Sequence, residues 1–89
     1  MIIQFEQSFI KSLDKLSDSR LKTKISDIIQ EVEASDTLTN IKQCKKLKGY
    51  KSFYRIKTGD YRIGVELIHQ DTVRFILVSH RKDIYNKFP

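Results

Sequence analysis

Three cations, Arg55, Lys57 and Arg62, fall within eight residues of the stretch YRIKTGDYRIGVELI, Tyr54 to Ile68, with Asp60 the one acid among them. Arg55 and Lys57 are two apart, so on a strand they share a face. Arg62 lies just past Gly59, where a partner strand would begin. Three cations on one face repel one another unless an anion sits between them. Arginine holds a phosphate bidentately and stabilises charge that develops on it during reaction. Further along, SHRKDIY contributes His80, Arg81 and Tyr85. If that segment is helical, Arg81 and Tyr85 are four apart and share a face. Upstream, KQCKKLKGYK carries Lys45, Lys46, Lys48 and Lys51, suited to phosphate contacts that give affinity without sequence information. Solvated strand residues and a lysine-rich connector satisfy the same spacing without any ligand.

Other chemistries find little support. His69 and His80 are eleven residues apart, Cys44 is the one cysteine, and no carboxylates cluster in the C-terminal half, so a metal centre is not expected. The three glycines are isolated and form no phosphate-cradling loop. No nucleophile elbow supports a serine–histidine–aspartate site, and no cofactor is expected. Cys44 reads as a small hydrophobe without a role.

The charge is one-sided. Residues 1–41 carry seven acids and five bases, whereas residues 42–89 carry four acids and twelve bases, consistent with the net +6. Such a field suits a polyanionic partner, nucleic acid first, or simply a soluble basic surface. No apolar run approaches the roughly 18 residues of a membrane span. The opening MIIQFEQSF lacks the basic and apolar regions of a signal peptide, so a cytoplasmic protein with no membrane partner is expected. A lone cysteine agrees with a reducing compartment.

The elements that must position these residues can be read from periodicity. Ile2, Ile3 and Phe5 suit a short strand, and Phe9, Leu13 and Leu16 a helix. Ser17 or Asp18 can cap a second helix, whose stripe is Leu21, Ile25, Ile28 and Val32. Ser35 to Asn40 is turn-prone, and Ile41 to Lys51 reads as a basic connector. Phe53–Lys57 and Tyr61–Ile68 form a hairpin closed by TGD; Val73–Ser79 follows after HQDT. Alternation puts Tyr61, Ile63, Val65 and Leu67 on the core side and Arg62 on the other. RKDIYNKFP ends as one helical turn or an irregular tail. The expectation is a single domain over residues 1–89 of the α+β class. Its order is β-α-α-β-β-β, an N-terminal helical hairpin packed on a small, mainly antiparallel sheet. The sheet's second face is left for solvent or a ligand.

KLKG, YRIKTGDYRI and HRKDIY together resemble the RelE/ParE superfamily of bacterial toxins, and the likeness extends over nearly the whole chain. The resemblance implies a toxin of a type II toxin–antitoxin system. In the RelE branch that means metal-independent cleavage of messenger RNA in the ribosomal A site, with silencing by a cognate antitoxin in a hetero-oligomer. It assigns catalytic positions to Arg55, Lys57, Arg62, Arg81 and Tyr85; Arg55 stands where the best-known RelE-type toxins have lysine. Other branches use histidine or glutamate as acid and base, and His80 is the nearby histidine. Lys45, Lys46, Lys48 and Lys51 would dock on ribosomal RNA. In such a reaction RNA supplies its own 2′-hydroxyl nucleophile, and the protein positions it and stabilises charge. Arg62 and Arg81 would clamp the phosphate. Lys57 is the better base, since arginine stays protonated and neighbouring cations with partial burial favour neutral lysine. Tyr85 would stack on a base, and His80 could donate to the leaving oxygen. The ParE branch offers the alternative, a DNA gyrase poison that acts by binding without a nuclease site.

Overall fold

The computed structural model describes residues Met1 to Pro89. Strand β1 (Ile2–Phe5) leads into helices α1 (Gln7–Asp14) and α2 (Ser19–Ala34). Strands β2 (Cys44–Lys46), β3 (Phe53–Thr58), β4 (Tyr61–His69) and β5 (Thr72–His80) follow, and then a single turn of helix, α3 (Ile84–Lys87). The sheet order is β1-β5-β4-β3-β2, antiparallel throughout except for the parallel β1–β5 pair. This is the α+β arrangement expected, with one more strand.

Asp18 starts α2: its carboxylate accepts from the backbone N–H of Arg20 at 2.9 Å and of Leu21 at 3.2 Å, satisfying two otherwise orphaned donors. The helix then buries Leu21, Ile25 and Val32, with Ile28 half-buried, along one stripe. From α1, Phe9 enters the same core and meets Phe5 and Phe75 at ring-centre distances of 5.6 and 5.4 Å. A single 3₁₀ turn, Leu38–Asn40, follows α2 and buries Leu38, with Ile41 just behind it. The sheet answers with Ile56, Ile63, Val65, Val73, Phe75 and Val78. Ile63 and Val65 are fully buried, while Tyr61 and Leu67 pack at the margin of the core as half-buried residues.

The register defines the opposite face. Lys45 pairs with Arg55, Arg55 with Gly64, and Gly64 with Leu77; Lys57 pairs with Arg62, and Arg62 with Ser79. Directly opposed residues share a face. Lys45, Arg55, Lys57 and Arg62 therefore stand together on the side away from α1 and α2. Gly59 closes the β3–β4 hairpin at φ 58°, a left-handed conformation that glycine adopts without steric cost.

Two readings of the sequence need correction. The basic connector is not all loop: Cys44–Lys46 extends the sheet by pairing with β3. The outer face is also not left bare. Ile84 and Phe88 are buried apart from the main core. The Phe88 ring lies over Gly64, where a side-chain Cβ would come within 2.7 Å of it. It meets the edge of Phe53, 5.5 Å away between centres, and Phe53 meets Tyr50 at 5.7 Å. The tail thus closes on the sheet through an aromatic chain that periodicity does not reveal.

Candidate functional site

Docking of the tail completes a cleft of about 390 Å³ lined by Arg55, Lys57, Arg62, Arg81, Lys82 and Tyr85. All five residues assigned to catalysis by resemblance meet here, joined by Lys82, which the sequence reading passed over. Its neighbour Arg81 was the signal that could have found it.

Each cation is held differently. Arg62 folds back over the hairpin, its Nη1 donating to the carbonyls of Gly59 and Tyr61, both at 2.9 Å. Its Nε and Nη2 make no hydrogen bond within the protein and stay available to an anion. Arg55 donates through Nη1 to the Gln43 carbonyl at 3.1 Å, which ties it to the segment entering β2. Arg81 is anchored by its backbone, which donates to the Asp60 carbonyl at 2.7 Å, while its Nε lies 3.7 Å from Asp60 Oδ1. That carboxylate is largely exposed, so the pair contributes little to stability, about 1 kcal/mol or less. Lys57 and Lys82 are exposed and make no ion pair. Lys57 is thus not partly buried, as the sequence reading took it to be.

Five cations face one carboxylate, Asp60, which pairs only with Arg81, and the excess positive charge is focused on one cleft, the condition under which an anion is drawn in. Tyr85 adds an exposed ring at the rim. The set can hold a phosphate from several sides and place a flat aromatic surface beside it.

His80 is elsewhere. It pairs with Tyr61, on the face opposite Arg62, and their rings meet edge to face at 5.4 Å. Its Nδ1 accepts from the Lys82 backbone N–H at 3.2 Å, so the ring acts as a cap on the turn after β5. It lines a different cleft, between α1 and the end of β5. Lys45, Lys46 and Lys48 border a second cleft that adjoins the first through Arg55 and Tyr85; Lys51 lines neither. No three His, Cys, Asp or Glu side chains converge anywhere in the molecule. Cys44 is half-buried on the core side of β2, and burial pushes its thiol up to about 11, against a smaller opposite pull from Arg55.

This cleft sits on a chain whose relatives can be named. Residues 3–85 match the family model described as ParE toxin of type II toxin–antitoxin systems. A curated protein of Methanocaldococcus jannaschii, Toxin RelE3, is 42% identical over 90 residues, covering all of both chains. The chain belongs to the RelE/ParE superfamily of toxins. The toxin in the crystal structure of the RelB-RelE antitoxin-toxin complex from Methanococcus jannaschii superposes with a TM-score of 0.80. It shares 41% identity over 97% of this chain and 99% of that one. The intact RelBE complex of E. coli gives a TM-score of 0.70 at 24% identity, over 89% and 94% of the two chains, a likeness of fold. In the terms of that superfamily, this toxin keeps α1 and α2 on one side of its sheet and a cationic cleft on the other.

Proposed function

We propose that this toxin is an endoribonuclease that cleaves messenger RNA on the ribosome, by attack of a 2′-hydroxyl on the adjacent phosphorus, and that a cognate antitoxin silences it in a hetero-oligomer. The observation that carries the reading is the convergence of Arg55, Lys57, Arg62, Arg81 and Tyr85 in one cleft, from β3, β4 and the segment after β5. Cleavage forms the 2′-oxygen–phosphorus bond and breaks the bond to the 5′-oxygen, giving a 2′,3′-cyclic phosphate and a 5′-hydroxyl. The proton leaves the 2′-hydroxyl and another reaches the 5′-oxygen. Arg62 and Arg81 hold the phosphate and stabilise its developing charge. Lys57, exposed at the cleft, lacks the burial that would suit it to act as base and instead adds its charge to that clamp; water takes the 2′-proton, and Tyr85 stacks on a base to fix the in-line geometry. Arg81, which lines the cleft, is favoured over His80 as partner of the leaving oxygen, because His80 lies on the other face of the sheet. The residues suffice for this chemistry without a metal. The site of action is the cytoplasm.

The antitoxin partner is inferred from the antitoxin-toxin complexes in which the similar toxins were solved. A second reading, a gyrase poison that acts by binding, draws on the ParE description of the matching family model. The two separate in a cell-free translation assay with primer extension on the message. The nuclease reading expects cuts within the A-site codon that vanish in Arg62→Ala. Intact messages under the unaltered protein, with inhibited gyrase supercoiling, would establish the second reading instead.

A further inference from the structure

A second cleft, of about 420 Å³, opens beside the first and shares Arg55 and Tyr85 with it. Lys45, Lys46, Lys48 and Tyr50 line it, and Leu47, Phe88 and Pro89 supply its apolar wall. Five large hydrophobic side chains are exposed on this protein; two of them, Tyr50 and Tyr85, border this one cleft, at 48% and 59% exposure. Tyr50 is not a loose surface ring. Its ring meets Phe53 at nearly a right angle, and Phe53 in turn holds Phe88, so it is fixed to the same aromatic chain that docks the tail. None of the three lysines makes an ion pair. Lysines alone would serve any polyanion, and rings alone would be an apolar patch. Unpaired cations interleaved with exposed, anchored rings are what single-stranded nucleic acid takes, since every base has a face to stack and every link a phosphate to neutralise.

We propose that this cleft is a subsite for the nucleotide that adjoins the reacting phosphate on the same strand. Its base stacks on Tyr50, and Lys45 and Lys48 neutralise its phosphates. The inference rests on the ribonuclease reading, because continuity through Arg55 and Tyr85 is what makes the two clefts one track. It gives the lysines a substrate contact in place of a purely ribosomal one.

The test is fluorescence anisotropy at low salt, with antitoxin-free toxin, no ribosome, and a fluorescein-labelled hexaribonucleotide. The oligonucleotide is 2′-O-methylated throughout so that it cannot be cut. Tyr50→Ala should weaken binding about tenfold, and Tyr50→Phe less than twofold, since the ring rather than the hydroxyl is used. Removing one base at the flanking position should weaken binding to the unaltered toxin similarly and abolish the difference between it and Tyr50→Ala. Equal affinities for Tyr50→Ala and the parent overturn the proposal. So does a loss in Tyr50→Ala that persists in full on the abasic strand, or no measurable binding at millimolar oligonucleotide. The assay reads no cleavage, so a failed nuclease reading shows itself separately, as intact messages under the unaltered protein in the translation assay.

Discussion

Replacing Gly64 with alanine puts a Cβ 2.7 Å from two carbons of the Phe88 ring and 2.8 Å from a third. Carbon atoms attract best at roughly 3.5–4.0 Å, so the ring must retreat by about 1 Å. The Gly64 backbone needs no left-handed conformation, which leaves sterics as the sole cause. Two responses compete. Squeezing the ring in place costs about 1–3 kcal/mol of overpacking. Releasing it forfeits about 1.5–3 kcal/mol of phenylalanine burial, partly offset by the backbone entropy that the freed tail regains. Release is cheaper, because Phe88 sits in a short terminal segment that no other strand covers. The expected outcome is an undocked tail, a melting temperature lowered by on the order of 10 °C, and an intact main core. Amide exchange at residues 81–88 should become fast while that of Ile63, Val65 and Phe75 stays slow. Cleavage should fall more than tenfold as Arg81 and Tyr85 lose their places. Phe88→Ala makes room for the new methyl, so the Gly64→Ala/Phe88→Ala double variant should be scarcely less stable than Phe88→Ala alone. Strictly additive stability losses, or unchanged exchange at residues 81–88 in Gly64→Ala, refute the steric argument.

Other expectations follow from single contacts. Arg62→Ala should abolish cleavage in the translation assay; its two bonds to hairpin carbonyls mean a melting temperature lower by a few degrees at most, while a collapse of the fold would assign the residue a structural part. Cys44, raised from 9.0 to about 11, stays a thiol at neutral pH, so alkylation by iodoacetamide at pH 8 should be much slower in the folded protein than in urea. The sign of the linkage follows: stability that Cys44 contributes is whole below pH 9.0 and is lost as pH rises through about 11, visible as an alkaline fall in melting temperature that Cys44→Ala reduces. Asp18→Ala removes both donor contacts at the start of α2 and should cost about 1 kcal/mol, read as a lower urea midpoint with unchanged slope.

Much of the scaffold is legible in the sequence because it rests on local periodicity. The Leu21, Ile25, Ile28 and Val32 stripe defines α2, Asp18 its start, and alternation about Gly59 places Arg55, Lys57 and Arg62 on one side. What escapes is whatever depends on register between distant segments. The β4–β5 pairing slips between Gly64 and Val65, so parity counted along β5 cannot be referred to β4 by eye. This is why His80, adjacent to Arg81 in sequence, belongs to the face of Tyr61. The strand Cys44–Lys46 is too short and too cationic to carry a strand pattern, and exists because β3 offers it an edge. Gly64 reads as an ordinary strand glycine until a ring from twenty-four residues downstream is found above it. Lys82 is one more charge in a charged tail until that docking turns it toward the cleft.

Docking of the tail also imposes an order on assembly. Every residue of the main core cluster lies at or before Val78, whereas Arg81, Tyr85 and Phe88 come later. As the chain emerges during synthesis, the fold can be complete while the cleft still has only its hairpin cations. The cationic cleft is therefore the last part of the molecule to be completed, after the core that carries it.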